Sequence, residues 1–332
     1  MTGLGSRRHP SADRRRPPLK LVALVNAAAG TAERQRRKPL QESLPAAFEE
    51  HGLSAELQLA GGEDMRIAAE AARDRALRGD IDAVAVGGGD GTISTIAGVL
   101  AGTGVPVGLL PLGTLNHFAK DLGIPADLDQ AVAVIAKGET RLVDVAEVNG
   151  RVFINNSSVG LYPHMVLDRE RRRSLHGYRK WTAMVLASLK VLRRFPLRRL
   201  SIRAEGWTEP CRTPLLFVGN NRYELAGLSL GGRGRLDDGE LCLYVTKQQS
   251  RLGLIWLAIR SALGFIDEAR DLRTFNVRSA EIETRRRRLL VALDGEIDLL
   301  SVPLRYRIRP GALKVFAPAP ASGDQTAEAP PV

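Results

Sequence analysis

The sequence predicts an α/β domain followed by a mostly antiparallel β domain. Between Leu19 and about Asp144, short apolar runs alternate with helical patterns across short glycine-rich connections, the texture of a parallel sheet with helices on both faces. After Asn149 the texture changes to short strand-like runs separated by turn residues. The length of 332 residues fits about two domains at roughly 150 residues each. A chain 44% hydrophobic and 26% charged has enough apolar surface for packed cores, which excludes wholesale disorder, a collagen-like repeat and a disulfide scaffold.

In the first half the strand candidates are Leu19–Val25, Ala55–Leu59, Ala83–Val86, Pro106–Leu110 and Leu142–Val145. The helix candidates are Gln35–His51, Asp64–Arg78, Thr92–Ala101 and Leu128–Lys137, each with apolar residues at helical spacing. In the second half the strand-like runs are Val152–Asn156, Leu200–Ala204, Leu215–Val218, Glu240–Val245, Thr274–Val277, Glu281–Thr284, Leu289–Leu293 and Leu304–Ile308. Two helix-like stretches, Trp181–Arg193 and Leu252–Phe265, interrupt them, and no internal repeat is present. The Arg-rich residues 1–17 and the Pro/Ala/Ser-rich residues 317–332 read as disordered tails.

Near the N-terminus, Arg14–Arg16 followed by Leu21–Val25 and Ala27–Ala29 imitates a signal peptide, but Lys20 and Asn26 break the apolar run, so a buried first strand is expected. No window of 18 apolar residues exists, and the nearest, Leu252–Ile266, carries Arg260 and reads as a packed helix or a surface-inserting one. Cys211 and Cys242 lack C-x-x-C spacing and read as two packed thiols of a reduced, cytoplasmic protein. The five histidines have no zinc spacing. Lys plus Arg total 48 against 37 Asp plus Glu, a net charge of +11 that favours polyanionic neighbours.

The strongest chemical signal is Gly87-Gly88-Gly89-Asp90-Gly91-Thr92, after an apolar strand and opening a helix. Successive glycines let backbone N–H groups approach an anion, and a helix N-terminus behind them favours negative charge. Asp90 repels a phosphate unless Mg²⁺ or an attacking hydroxyl lies between them. No G-x-x-x-x-G-K-[ST] occurs, and the spacing misses G-x-G-x-x-G. A second turn, Pro111 to Ala119, follows the next strand, and turns after successive parallel strands meet at one sheet edge. Thr114 and Asn116 are thereby expected to face the same phosphates as Gly89–Thr92, and Asn26 to Gly30 lies at that edge too. Asp294-Gly295-Glu296, taken alone, is a hairpin turn.

In that order, GGGDGT, PLGTLNHFA and the late DGE resemble the diacylglycerol kinase catalytic-domain family, which includes bacterial YegS-type lipid kinases and the sphingosine and ceramide kinases. The resemblance runs from Leu19 to about Phe316. It implies a nucleotide-binding α/β domain at 18–149, joined by about 309–316, and a lipid-binding β-sandwich at 150–308, with ATP and lipid meeting between them. It maps nucleotide contacts onto Asn26, Ala27, Ala28, Ala29 and Gly30, onto Gly88, Gly89, Asp90, Gly91, Thr92, Ile93, Ser94 and Thr95, and onto Thr114. It makes Glu296 the catalytic base, with Asp294, Asp90 and Asp144 in a metal and water network. A structural Mg²⁺ is implied at Arg235–Glu240, held by the Asp238 carboxylate and by the carbonyls of Arg235 and Glu240. Four positions depart from the family pattern: Ala27 where proline is usual, Ala60 for a common threonine, Ser94-Thr95 where many relatives have Asn-Glu after the hydrophobic residue, and His117 for an aspartate.

The expected activity is therefore ATP- and Mg²⁺-dependent phosphorylation of a lipid alcohol. The arginine clusters suit docking on anionic lipid at the inner face of the membrane. With no recognition module and 5% aromatic residues, nucleic acid is not an expected partner. Two alternatives share the glycine turn: a soluble NAD kinase-like phosphotransferase, and a non-catalytic lipid- or nucleotide-binding regulator.

Overall fold

The computed structural model describes residues 18–26, 37–163, 197–224, 232–247 and 271–319, with 250, 253, 256 and 260. The helix-like stretches Trp181–Arg193 and Leu252–Phe265, both tails and Ala27–Gly30 lie outside or largely outside these residues.

Four strands form the parallel layer: β1 (Lys20–Asn26), β2 (Ser54–Ala60), β3 (Ala83–Gly88) and β4 (Val107–Pro111), in spatial order β2-β1-β3-β4. β3 and β4 are buried throughout and β1 at five successive positions, the continuous apolar pattern of strands covered on both faces. Around them run α1 (Arg37–Glu50), α2 (Glu63–Leu77), α3 (Asp90–Leu100), α4 (His117–Asp121) and α5 (Leu128–Lys137). Asp127 caps α5 by accepting from Gln130 N at 3.0 Å, and Gly138 ends it in the left-handed region. The registers Asn26↔Ala60, Val25↔Gly87 and Gly88↔Pro111 put the ends of β1, β3 and β4 at one sheet edge.

The next strand, β5 (Thr140–Val148), departs from the parallel pattern. Asn149 and Gly150 both take positive φ, closing a two-residue hairpin into β6 (Arg151–Phe153) that forces antiparallel pairing. β5 also pairs antiparallel with the last strand, β16 (Leu304–Phe316). At its far end β16 lies parallel to β4, Val315 opposite Val107, and at its near end it pairs with β13 (Ser279–Glu283). One 13-residue strand thus fuses the parallel layer with β13, β8 (Arg198–Ala204) and β9 (Trp207–Thr213) into a ten-stranded sheet. Its pairing register shifts between Arg309 and Leu313, where Pro310 removes a donor.

The second layer is an antiparallel sheet of six strands in the order β12 (Leu272–Val277), β11 (Leu241–Thr246), β10 (Leu215–Asn220), β7 (Asn156–Gly160), β14 (Arg288–Leu293), β15 (Glu296–Ser301). Residues of both sheets, among them Ile202, Ile282, Tyr306, Val159, Val218, Leu243 and Val291, form one core between them. The architecture is an α/β domain with a mostly parallel sheet, followed by an antiparallel β-sandwich. The sequence reading had no strand at β9 or β15, which are edge strands. β9 alternates exposed and half-buried positions and holds Pro210, where an edge tolerates a missing donor.

Candidate active site

The glycine turn joins β3 to α3. Gly89 stands before the helix in extended conformation with no side-chain cap, so the first-turn N–H groups open onto the sheet edge. The turn after β4 packs directly on it. A side chain at Gly113 would collide with Gly89 Cα and stand 2.6 Å from Asn116 Oδ1, so only glycine lets the two backbones meet. Asn26, ending β1, donates from Nδ2 to Thr92 Oγ1 at 2.8 Å. All three strand ends therefore converge on the start of α3.

Of the expected nucleotide contacts, Asn26, Gly88, Gly89, Gly91 and Thr92 are brought together here, and Thr114 is exposed beside them. Ala27 to Gly30 fall outside the described residues. Four side chains serve otherwise than expected, among them Ser94, which is buried and donates its hydroxyl to the Val152 carbonyl at 3.4 Å. Ile93 is buried in the core, leaving only its backbone for a ligand. Thr95 donates to the Gly91 carbonyl of its own helix at 3.0 Å. Asn116, buried and at positive φ, turns inward and donates to the carbonyls of Pro111 and Gly113 at 3.0 and 2.9 Å, bracing its turn.

The late Asp-Gly is indeed a hairpin turn, Asp294 and Gly295 both at positive φ between the paired Leu293 and Glu296. The same hairpin carries the late acidic residues to the glycine turn. A Cβ placed on Gly91 would stand 2.5 Å from Glu296 Oε1, so this exposed carboxylate overhangs the first turn of α3. Asp294 points inward and accepts from the backbone N–H groups of Ile154, Asn155 and Asn156 at 2.8 to 3.0 Å. Burial pushes its carboxyl above the usual range, and these donors with the Ser94 hydroxyl oppose that rise.

Asp90 accepts from the N–H groups of His117 and Phe118, each at 3.1 Å, and so caps α4 from another helix. It also accepts from Asn155 Nδ2 at 3.2 Å. Asn155 Oδ1 in turn accepts from Arg233 Nη2 at 2.7 Å. Arg233 is fully buried: it pairs with Asp121 of α4 at 2.8 Å and donates to the carbonyls of Ile154 and Asn220 at 2.6 and 3.0 Å. Its guanidinium also lies over the rings of Phe118 and Tyr223. Arg233, Asn155 and Asp121 had no place in the sequence reading. The one available signal was Asn155-Asn156, two amides inside a strand-like run.

The expected membership of Asp144 in the Asp90/Asp294 network needs correction. Both of its oxygens are engaged elsewhere, by Gly239 N at 2.7 Å and Gly311 N at 2.8 Å, which ties β5 to the 235–240 loop. In that loop Asp238 pairs with Arg235 at 3.1 Å, and its carboxyl is pushed upward by burial and then by Asp237 and Asp144. Glu240 donates its N–H to Asn221 Oδ1.

Residues 20–148 match the diacylglycerol kinase catalytic domain, and residues 168–317 match the YegS C-terminal NAD kinase β-sandwich-like domain. A protein of Pseudomonas aeruginosa PAO1 named "probable lipid kinase YegS-like" is 30% identical over 251 residues, spanning 74% of this chain and 80% of its own. The chain belongs to the diacylglycerol kinase family. A diacylglycerol kinase of Mycobacterium tuberculosis H37Rv is 29% identical over 282 residues, 81% of this chain and 89% of its own. A diacylglycerol kinase structure from Bacillus anthracis shares the fold of this lipid-kinase family member at a TM-score of 0.63, with 22% identity over 90% of this chain and 97% of that one.

Proposed function

We propose that the protein transfers the γ-phosphate of ATP to the hydroxyl of a lipid alcohol, with Glu296 as general base. The observation that carries the reading is the carboxylate of Glu296 held over Gly91, at the N-terminus of α3. The nucleotide's phosphates would sit on the first-turn N–H groups of α3 and against the Gly89–Gly113 contact, with Asn26, Thr92 and Thr114 beside them. Glu296 takes the proton of the lipid hydroxyl, whose oxygen forms a new bond to the γ-phosphorus as the bond to the β–γ bridging oxygen breaks and ADP leaves. Because Glu296 opens β15 directly after a tight hairpin, the base is carried on rigid structure.

The residues present fit Mg²⁺ at this turn. Among the described residues no three His, Cys, Asp or Glu side chains gather as a cluster, but Mg²⁺ commonly uses one or two carboxylates together with substrate phosphates and water. Asp90, whose Oδ2 accepts a single N–H, is the side-chain oxygen donor that would hold it, leaving Glu296 to act as the base, and when bound it would neutralise charge on the transferred phosphoryl group. In the 235–240 loop, Asp238, paired with Arg235 and under the like charges of Asp237 and Asp144, is the side chain that would hold a structural cation.

The net charge of +11 and the clustered arginines support an acceptor at a membrane surface. No helix among the described residues is long and apolar enough to cross a bilayer. The test is incubation with labelled ATP, Mg²⁺ and mixed lipid vesicles, followed by mass spectrometry of the lipids. A new phosphorylated lipid is expected; folded protein that labels no lipid overturns the reading.

A further inference from the structure

The sandwich has two ends, and the catalytic turns use only one. Along the six-stranded sheet, Asn156 and Leu293 lie at the end facing α3, whereas Gly160 pairs with Leu215, Thr246 with Leu272 and Arg288 with Ser301 at the other. The opposite sheet agrees: Arg198 pairs with Thr213, and Glu283 with Ser201, beside the connection into β14. Arg198, Arg199 and the run Arg285–Arg288 therefore collect at the remote end. Arg199 and Arg285–Arg288 are exposed, and none of these five forms an ion pair among the described residues. Elsewhere arginines are commonly paired, as in Arg203 with Glu281 and Glu283, Arg273 with Glu209 and Arg307 with Glu147. Arg198 is half-buried, and its guanidinium is held below the usual arginine range by burial and then by the like charge of Arg286. The exposed positive charge of Arg199 and Arg285–Arg288 is concentrated here.

Between Arg199 and Arg285 lies an open, shallow depression of about 320 Å³, lined also by Leu200, Ser201, Glu283 and Thr284. Its two guanidinium groups and the Ser201 hydroxyl are donors suited to a phosphate, the Thr284 hydroxyl being donated to the Arg199 carbonyl at 3.0 Å, and Glu283, its one acid, is already paired with Arg203. Apolar character joins the charge at this end. Tyr162, just past β7, is 43% exposed. Basic residues combined with aromatic and apolar ones are the composition of a surface that settles into a bilayer interface.

We propose that the end of the sandwich remote from the glycine turns is the face that docks on an anionic bilayer, with the open depression between Arg199 and Arg285 meeting a lipid phosphate. This rests on the lipid-kinase reading for its purpose but not for its test. Five residue steps along β14 separate Arg288 from Leu293, about 17 Å at strand spacing. That is close to one leaflet's acyl thickness, half of the ~30 Å bilayer core. A lipid rising head-first along the sandwich would bring its hydroxyl to Glu296 while its acyl ends stay at the membrane.

The experiment is co-sedimentation of the full chain, without nucleotide, with vesicles of phosphatidylcholine alone or with 30% phosphatidylglycerol (~30%, a composition in which anionic attraction is strong). The wild type is expected to bind the anionic vesicles and to release as salt rises. The triple variant Arg199→Ala, Arg285→Ala, Arg287→Ala, checked for unchanged circular dichroism and melting, is expected to partition on the order of a hundredfold more weakly, about fivefold for each arginine. A control with the same charge loss on α2 and its C-cap, Arg66→Ala, Arg75→Ala, Arg78→Ala, is expected to bind as the wild type does. Equal loss in both variants overturns the proposal by reducing it to net charge, as does wild-type binding by the first variant. Full displacement by inorganic phosphate at constant ionic strength also overturns it, since a free-anion site would then suffice. Vesicle binding through these arginines with no lipid phosphorylated would leave the docking face standing and remove the kinase reading.

Discussion

Asp90 and Asp294 are joined through a single residue: Asn155 donates its backbone N–H to Asp294 at 2.8 Å and its side-chain amide to Asp90 at 3.2 Å. One carboxylate belongs to helix α3 and the other to the β14–β15 hairpin. Their separation is therefore set by one buried amide. Asn155→Ala removes the side-chain link and leaves Arg233 Nη2 without its acceptor. It is expected to cost about 1–3 kcal/mol in urea unfolding, the penalty of an unmet buried donor, and to lower turnover more than it weakens nucleotide binding.

Glu296→Gln keeps the shape and hydrogen-bonding size of the side chain but cannot accept the proton. Turnover is expected to fall by about 10²–10⁴, the usual contribution of a general base, with ATP affinity preserved. Steady-state kinetics with a nucleotide-binding titration checks it, and unchanged turnover would remove Glu296 from the chemistry.

Gly91→Ala separates folding from catalysis. Gly91 lies inside α3 without positive φ, so alanine suits the helix and is expected to leave stability unchanged or raised by about 0.5–1 kcal/mol. Its Cβ, however, would stand 2.5 Å from Glu296 Oε1, and the flexible carboxylate must swing aside. A melting temperature at or above that of the wild type, with kcat reduced at least tenfold (roughly 1.4 kcal/mol in the barrier), is the expected pair of results.

The Arg233–Asp121 pair is buried on both sides, with side-chain exposures of 0% and 8%. Removing one partner strands a charge, so Arg233→Met or Asp121→Leu alone is expected to destabilise by about 3–5 kcal/mol. The double variant is expected to be less destabilised than the sum of the two, measured as the coupling in a urea-unfolding cycle.

Tyr223 offers a pH signature. Burial pushes its hydroxyl up to about 12, from an ordinary value near 10. The folded form keeps a proton that the unfolded chain releases, so its contribution is complete below pH 10 and is lost as pH climbs toward 12. Tyr223→Phe is expected to flatten the fall in unfolding free energy between pH 10 and pH 11 relative to the wild type.

Local signals made much of this legible beforehand. The buried runs of β1, β3 and β4 and the glycine turn were readable because burial on both faces demands uninterrupted apolar residues, and a close backbone approach demands glycine. Asp294-Gly295 was readable as a hairpin because both residues tolerate positive φ. The edge strands β9 and β15 were less legible, since half-exposed edges accept proline and charge. The antiparallel turn of β5 hung on Asn149-Gly150, a two-residue signal.

From the residues alone came the α/β-then-β order, the phosphate-suited turn and the basic surplus, all properties of neighbours in the chain or of its overall composition. Only the folded arrangement decided that Asp294 would brace the chain at 154–156 while Glu296 alone of that motif overhangs Gly91, and that Asp144 would serve the 235–240 loop. It also decided that a buried arginine would clamp α4 to the sandwich. Such roles depend on which distant groups meet and how deeply they are desolvated, and no stretch of sequence carries that information by itself.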